Sequence, residues 1–190
     1  MEKNGFLFLG VLIFIFVQSC DVENTNLIES PEGERIVEDD YFQVYYGSGY
    51  TKIKGGFFAD AIKDFDKAYA INPKDPHLNY GIGFAHSAIQ KDSAAIYFYS
   101  LAISEKKDHS GAYFSRGVSY HLLGKDSLAI LDYNESAKFN PSFRDVYFNR
   151  ANSYLVLNNK RMACIDLNKG HLLGDQNCTN ILQKYCEIAY

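Results

Sequence analysis

The sequence predicts an all-α protein, a solenoid of four helix-turn-helix units followed by a capping helix. Three observations predict this fold class: a pattern of small and aromatic residues that recurs every 34 residues, turn signals at the ends of the predicted helices, and a composition that can form a packed core. Of the 190 residues, 47% are hydrophobic and 22% are charged. This composition excludes disordered, collagen-like and polytopic membrane chains.

The 34-residue period is visible in columns of residues that stay in register over four copies without a gap. Three of these columns contain Gly49, Gly83, Gly117 and Ala151; Ala61, Ala95, Ala129 and Ala163; and Phe65, Tyr99, Tyr133 and Leu167. Small residues let two helices approach closely, and a ring fills the space between neighbours. Pro73 and Pro141 follow the ends of two predicted helices, and Gly124 fits the tight turn inside a unit.

These columns together resemble the tetratricopeptide repeat (TPR). The resemblance implies a right-handed superhelical solenoid with units at 42–75, 76–109, 110–143 and 144–177, and a capping helix over 178–190. One helix pair cannot bury its own apolar face, so an array needs at least about three pairs and a polar-faced cap.

The amino end predicts a signal peptide over residues 1–19. Residues 6–17 are uninterrupted apolar and cover about 18 Å as a helix, short of the roughly 30 Å that a spanning helix must cross. The sequence Val17-Gln18-Ser19-Cys20 resembles the lipobox of bacterial lipoproteins, which implies cleavage before Cys20 and lipidation of that residue. The alternatives are an ordinary signal peptide with a chance cysteine and an uncleaved anchor.

Residues 20–41 are predicted to form an acidic, flexible tether that starts at the lipidated Cys20. Residues 21–40 carry eight acidic side chains and one basic side chain, and Pro31-Glu32-Gly33 interrupts any helix. Residues 41–190 carry 17 basic and 14 acidic residues without a basic stripe, which excludes a nucleic-acid partner. The expected location is the bacterial cell envelope, with the outer membrane, at its periplasmic or surface face, favoured over the inner membrane.

The sequence indicates a protein that is not an enzyme and has no cofactor or metal site. Glycines at 47, 49, 81 and 83 fall in two repeat columns, and no predicted strand precedes them, so they do not form a phosphate loop. The five histidines have no partner at the spacing of metal ligands. Neither a nucleophile elbow nor a Ser, His and Asp constellation is recognisable.

Three cysteines remain if Cys20 is lipidated. Cys178 and Cys186 on one helix would lie about 12 Å apart, beyond the roughly 7 Å Cα separation that a disulfide tolerates. Cys164 belongs to the helix against which the cap must pack, so a disulfide between Cys164 and Cys186 is the favoured pair. Cys164 with Cys178 is the second choice, and three buried free thiols are the alternative.

The TPR resemblance also implies a concave groove, lined by the second, fifth, ninth, twelfth and thirteenth positions of the first helices. The fifth positions hold Tyr46, Tyr80, Phe114 and Phe148, and the ninth hold Tyr50, Phe84, Val118 and Asn152. Aromatic side chains supply large contact areas at low entropic cost, which suits an extended or helical peptide. The Lys and Asn set that clamps a terminal carboxylate in some TPR proteins is missing. The alternative is that the fifth-position rings serve packing alone.

The expected function is that of a membrane-anchored TPR lipoprotein, a protein–protein interaction scaffold in the bacterial cell envelope that binds a partner segment in its groove. The lipid would confine the groove to a surface and so raise the effective concentration of a partner there. The alternative is a self-associating structural component of an envelope complex that has no peptide ligand.

Overall fold

A computed structural model of the chain describes residues 27–29 and 35–186. Within this part, a two-stranded antiparallel hairpin precedes nine helices joined by short turns. The elements are β1 (Leu27–Glu29), β2 (Arg35–Val37), α1 (Glu38–Lys54), α2 (Phe58–Ile71), α3 (Pro76–Ala88), α4 (Asp92–Glu105), α5 (Ser110–Leu122), α6 (Asp126–Phe139), α7 (Arg144–Val156), α8 (Lys160–Leu172) and α9 (Gln176–Tyr185). Each helix packs mainly on the helices before and after it in the chain. The predicted all-α helical solenoid is confirmed.

The turns inside the four units share one backbone conformation. Each has a single residue in the left-handed region, and these residues are 34 positions apart. They are Gly56, Gln90, Gly124 and Asn158, with φ of 78°, 61°, 68° and 61°. A backbone N–H then closes the turn, as in the 2.8 Å bond from Lys125 to the carbonyl of Tyr120. Glycine adopts this conformation without strain, so Gly124 is the residue type that the turn favours.

The small and aromatic columns form the contact between the two helices of each unit. A Cβ atom on Gly83 would lie 2.7 Å from the ring of Tyr99, and one on Gly117 would lie 2.7 Å from the ring of Tyr133. Both rings are almost fully buried. The period in the sequence therefore reflects a steric requirement, since only the smallest residues leave room for the ring.

An ion pair between the two helices of a unit also links that unit to the preceding one. Arg150 donates two hydrogen bonds to Asp166, of 2.7 and 2.6 Å, and a third of 2.8 Å to the amide oxygen of Asn134. The side chains of Arg150 and Asp166 are only 15% and 4% exposed. The same arrangement occurs 34 residues earlier, formed by Arg116, Asp132 and Ser100.

The first two units replace this ion pair with other residues in the same columns. In the second unit the two positions hold Ile82 and Phe98, which belong to one apolar cluster. In the first unit they hold Ser48 and Asp64, and Lys52 completes the contact at 2.6 Å from the Asp64 carboxylate. The repeat thus accepts either a buried ion pair or an apolar pair at this place.

The capping helix α9 starts at Gln176, so the predicted start at residue 178 is wrong by two residues. The carboxylate of Asp175 accepts hydrogen bonds from the backbone N–H groups of Asn177 and Cys178, which caps the helix at this earlier point. A disulfide joins Cys164 and Cys186, with their Cα atoms 5.7 Å apart. Residues 187–190 of the predicted cap lie outside the described residues.

The prediction of a tether without folded structure is wrong for part of residues 20–41. Strands β1 and β2 pair with each other, and α1 already begins at Glu38. Ile28, Ile36 and Val37 are apolar residues that favour strands, and the net charge of the whole segment obscured this local preference. The predicted signal peptide (1–19) and Cys20 lie outside the described residues. None of the described helices combines the length and the apolar character needed to cross a bilayer.

Candidate peptide-binding groove

Two neighbouring pockets lie on the face formed by the first helices α1, α3 and α5. The first pocket has a volume of about 180 Å³ and is lined by Tyr50, Ile53, Tyr80, Gly81 and Phe84. The second pocket also has a volume of about 180 Å³ and is lined by Phe84, Ser87, Tyr99, Phe114, Ser115 and Val118. The Phe84 side chain belongs to both. The structure thus brings together Tyr50, Tyr80, Phe84, Phe114 and Val118 among the residues expected in the groove.

The other three expected groove residues lie outside these pockets. The Tyr46 ring contacts the Tyr50 ring, with centroids 4.8 Å apart, at the edge of the first pocket. Phe148 packs against the apolar cluster at the carboxyl end of the array. Asn152 is half-buried on α7. The two pockets therefore lie in the first three units.

The fifth-position rings combine packing with pocket lining. The Tyr80 ring lies 5.7 Å from the Tyr99 ring and 5.0 Å from the His109 ring, measured between centroids. The Phe114 ring lies 4.7 Å from the Phe143 ring. Phe84 differs, because it is 40% exposed and projects between the two pockets. Phe84 is therefore the residue best placed to contact a ligand with little effect on the core.

The pockets are lined by apolar side chains and neutral polar groups, and none of the described residues that line them is charged. The Tyr50 hydroxyl donates to the carbonyl of His77 at 2.7 Å. Burial raises the pKa of Tyr50 and of Tyr99 well above the ordinary tyrosine value, so both hydroxyls stay neutral. Such a lining suits apolar side chains and supplies no cation for a terminal carboxylate.

Five pocket residues were not identified from the sequence as groove residues: Ile53, Gly81, Ser87, Tyr99 and Ser115. Ile53 and Ser87 occupy the twelfth position of their units, which the TPR resemblance places in the groove. The TPR resemblance could therefore have identified both Ile53 and Ser87 as groove residues. Tyr99 belongs to a core column, and its contribution to the base of the second pocket depends on the small residues around it.

A histidine, an aspartate and a serine meet at the contact between the third and fourth units. The Asp126 carboxylate lies 2.5 Å from Nδ1 of His121, and Oγ of Ser153 lies 3.2 Å from the same nitrogen. In a catalytic triad the serine and the aspartate contact different nitrogens of the histidine ring, whereas here both contact Nδ1. Ser153 is also fully buried, so this cluster is a structural contact. Within residues 27–29 and 35–186, no three His, Cys, Asp or Glu side chains form a group that could hold a metal ion.

Cys178 is a buried free thiol at the contact between α8 and α9. Its sulfur lies against Gly170, where a Cβ atom would collide with it. Burial, assisted by the carboxylate of Asp175, raises the pKa of the Cys178 thiol to about 12. The thiolate is the reactive form, so Cys178 acts as a small apolar residue in the core.

No family model and no curated protein sequence matches the chain. Among solved structures, the structure of MamA is similar to this chain, with a TM-score of 0.69 and 22% sequence identity. The similarity covers 73% of this chain and 81% of the MamA chain. This chain is also similar to YrrB, described as a TPR protein with an unusual peptide-binding site (TM-score 0.68, 20% identity, coverage 77% and 76%).

A third similar structure is the first TPR of Spaghetti bound to the HSP90 peptide SRMEEVD, with a TM-score of 0.61, 22% identity and coverage of 62% of this chain and 94% of that one. At these identities a structural likeness carries information on the fold alone. The three comparisons agree with the helix pairs and the 34-residue columns described above. The chain has the tetratricopeptide-repeat fold.

Proposed function

We propose that the chain is a membrane-anchored scaffold of the bacterial cell envelope that binds a protein partner through the two pockets. The observation that carries the proposal is the pair of adjoining apolar pockets that share the exposed Phe84 side chain. The TPR fold supports it, since two of the similar structures are described by their peptide-binding site or their bound peptide. The protein acts by recruitment rather than by catalysis.

The geometry of the pockets favours a partner segment with two apolar side chains. Neighbouring packed helices are about 10 Å apart, which sets the approximate separation of the pockets. A peptide in the polyproline II conformation has three residues per turn and rises about 3.1 Å per residue, so side chains three residues apart lie on one face and span about 9 Å. The uncharged lining favours a segment whose anchoring side chains are neutral.

The pocket proposal is tested with the variant Phe84→Ser and the matched control Tyr97→Ser. Tyr97 is also an exposed ring, but it lies on α4 outside both pockets. We expect crosslinking pull-downs from native envelope to recover one partner with the parent and the control, and about tenfold less with Phe84→Ser. Circular dichroism should show equal helicity for all three. Equal recovery by Phe84→Ser would contradict the proposal, and recovery of the chain itself alone would favour the self-associating alternative.

The proposed anchor rests on the apolar run at 6–17 and on the Ser19-Cys20 sequence that follows it. Intact-mass measurement of the protein from its native membrane tests the anchor. We expect a chain that begins at Cys20 and carries a diacylglycerol on the thiol. A mature chain with an unmodified Cys20, or one that retains residues 1–19, would contradict it.

A further inference from the structure

One edge of the solenoid, which we name the turn edge, is formed by the turns inside the four units. It comprises residues 55–57, 89–91, 123–125 and 157–159 with the adjoining helix ends. Large apolar side chains at this edge are between 41% and 64% exposed. They are Phe57, Leu122, Leu123, Val156, Leu157 and Tyr185. Exposed apolar side chains gathered on one side of a protein indicate an interaction surface.

The same edge carries basic side chains that form no ion pair with any described residue. They are Lys54, Lys91, Lys125, Lys160 and Arg161, all of them exposed. The acidic residues nearby each have a partner within their own unit: Asp60 pairs with Lys63, Asp92 accepts from Ser87, and Asp126 contacts His121. The five basic side chains outnumber these three acidic ones, so the formal charge of the turn edge is positive.

The opposite edge of the solenoid has fewer exposed large apolar side chains, namely Phe139 and Leu172. Its turns contain acidic and basic residues side by side, namely Lys74 and Asp75, Lys107 and Asp108, and Arg144 and Asp145. Because the charges there are mixed, that edge attracts neither anions nor cations strongly. The excess of basic side chains therefore lies at the turn edge, and this is the edge that would face an anionic surface.

We infer that the turn edge docks on a bilayer that contains anionic phospholipid. The apolar side chains lie on the short turns or on the helix ends beside them, so Phe57, Leu122 and Val156 can enter the headgroup region. The unpaired lysines are complementary to lipid phosphates. A partner protein would need a concave acidic surface to cover four protruding turns, whereas a bilayer adapts to them. This inference does not depend on the lipid at Cys20 or on the proposed ligand of the pockets.

Docking of this kind also sets the orientation of the array. The helices run from one edge of the solenoid to the other, so they stand upright on the bilayer when the turn edge is down. The α1 helix, with 17 residues, spans about 26 Å. The two pockets lie on the side face formed by α1, α3 and α5, and Ile53 and Ser87 place one side of each pocket near the docked edge.

Hydrogen–deuterium exchange of the full chain tests this inference, with vesicles of phosphatidylcholine alone and vesicles containing about one quarter phosphatidylglycerol. The apolar run at 6–17 is present in both samples, so the comparison isolates the effect of lipid charge. We expect slower exchange at 55–57, 89–91, 123–125 and 157–159 with the anionic vesicles only, and no change at the turns of the opposite edge. High salt should abolish the difference, because it screens exposed charges.

Two matched triple variants complete the test. Lys91→Glu/Lys125→Glu/Lys160→Glu reverses charges on the turn edge, and Lys74→Glu/Lys106→Glu/Lys107→Glu reverses three on the opposite edge. The turn-edge variant should need about 100-fold more anionic lipid for half-maximal slowing of hydrogen exchange at the turn edge. The opposite-edge variant should need nearly the same concentration as the parent. Equal exchange with both vesicle types, or equal behaviour of the two variants, would overturn the inference. Slowing that appears only when membrane proteins are added would overturn it in favour of a protein partner.

Discussion

Replacing Asp166 by Ala is expected to lower the free energy of unfolding by about 3 kcal/mol or more. The Arg150 side chain is 15% exposed and directs two of its hydrogen bonds to the Asp166 carboxylate. Removing the carboxylate leaves a buried guanidinium without its counter-ion, and one side of the link between α7 and α8 is lost. Urea unfolding followed by circular dichroism measures the change.

The chain offers both a control and a rescue for this experiment. Asp60→Ala removes an ion pair that is exposed to solvent, and we expect it to leave the unfolding midpoint nearly unchanged. The double variant Arg150→Ile/Asp166→Phe copies the apolar pair that Ile82 and Phe98 form in the second unit. It should recover most of the stability lost by Asp166→Ala. A loss from Asp166→Ala as small as that of the control would show that the ion pair is not a structural link.

Removing the disulfide between Cys164 and Cys186 is expected to release α9 from the end of the array. The bridge closes a loop with a sequence separation of 22, and a loop of this size corresponds to about 3 kcal/mol of stabilisation. Without it, α9 is held mainly by the burial of Cys178 and Leu182. The variant Cys186→Ser should therefore show faster hydrogen exchange across residues 176–185 and little change in α1 to α6.

A reducing agent provides the control for the disulfide prediction. It should reproduce the effect of Cys186→Ser in the parent and have no further effect on the variant. Unchanged exchange of α9 in the reduced parent would mean that packing alone holds the cap. Cys178 should stay inaccessible to alkylation while the array is folded, because its thiol is buried and its pKa is raised.

The solenoid was predictable from the sequence because its period is a steric rule. The positions of Gly83 and Gly117 require a small residue because the rings of Tyr99 and Tyr133 pack there. The same requirement recurs in each unit, so it appears as a column in the sequence. The ion pairs escaped prediction although they follow the same period. Arg150 and Asp166 are 16 residues apart on different helices, and charged residues in a sequence are taken as solvated unless their burial is known.

The groove was predictable only in part because pockets depend on small neighbours as well as on large ones. The small residue Gly81 lines the first pocket together with Tyr50 and Tyr80. The small residues Ser87 and Ser115 line the second pocket. Position in the repeat identified the large side chains, but the empty space also depends on small residues, and Gly81 and Ser115 stand outside the groove columns. Phe148 occupies the same column and packs instead against the carboxyl-terminal cluster.

The contacts of Arg116 and Arg150 make the third and fourth units complementary head to tail. Each arginine needs an acceptor at one position of the preceding unit, which Ser100 and Asn134 supply. A second copy of residues 110–143 placed between these units would find its acceptor in Asn134 and offer the same acceptor to Arg150. The length of such an array is then a matter of copy number, with each added unit extending the row of side chains at both edges. The disulfide-bound cap is the point at which this growth by duplication ends.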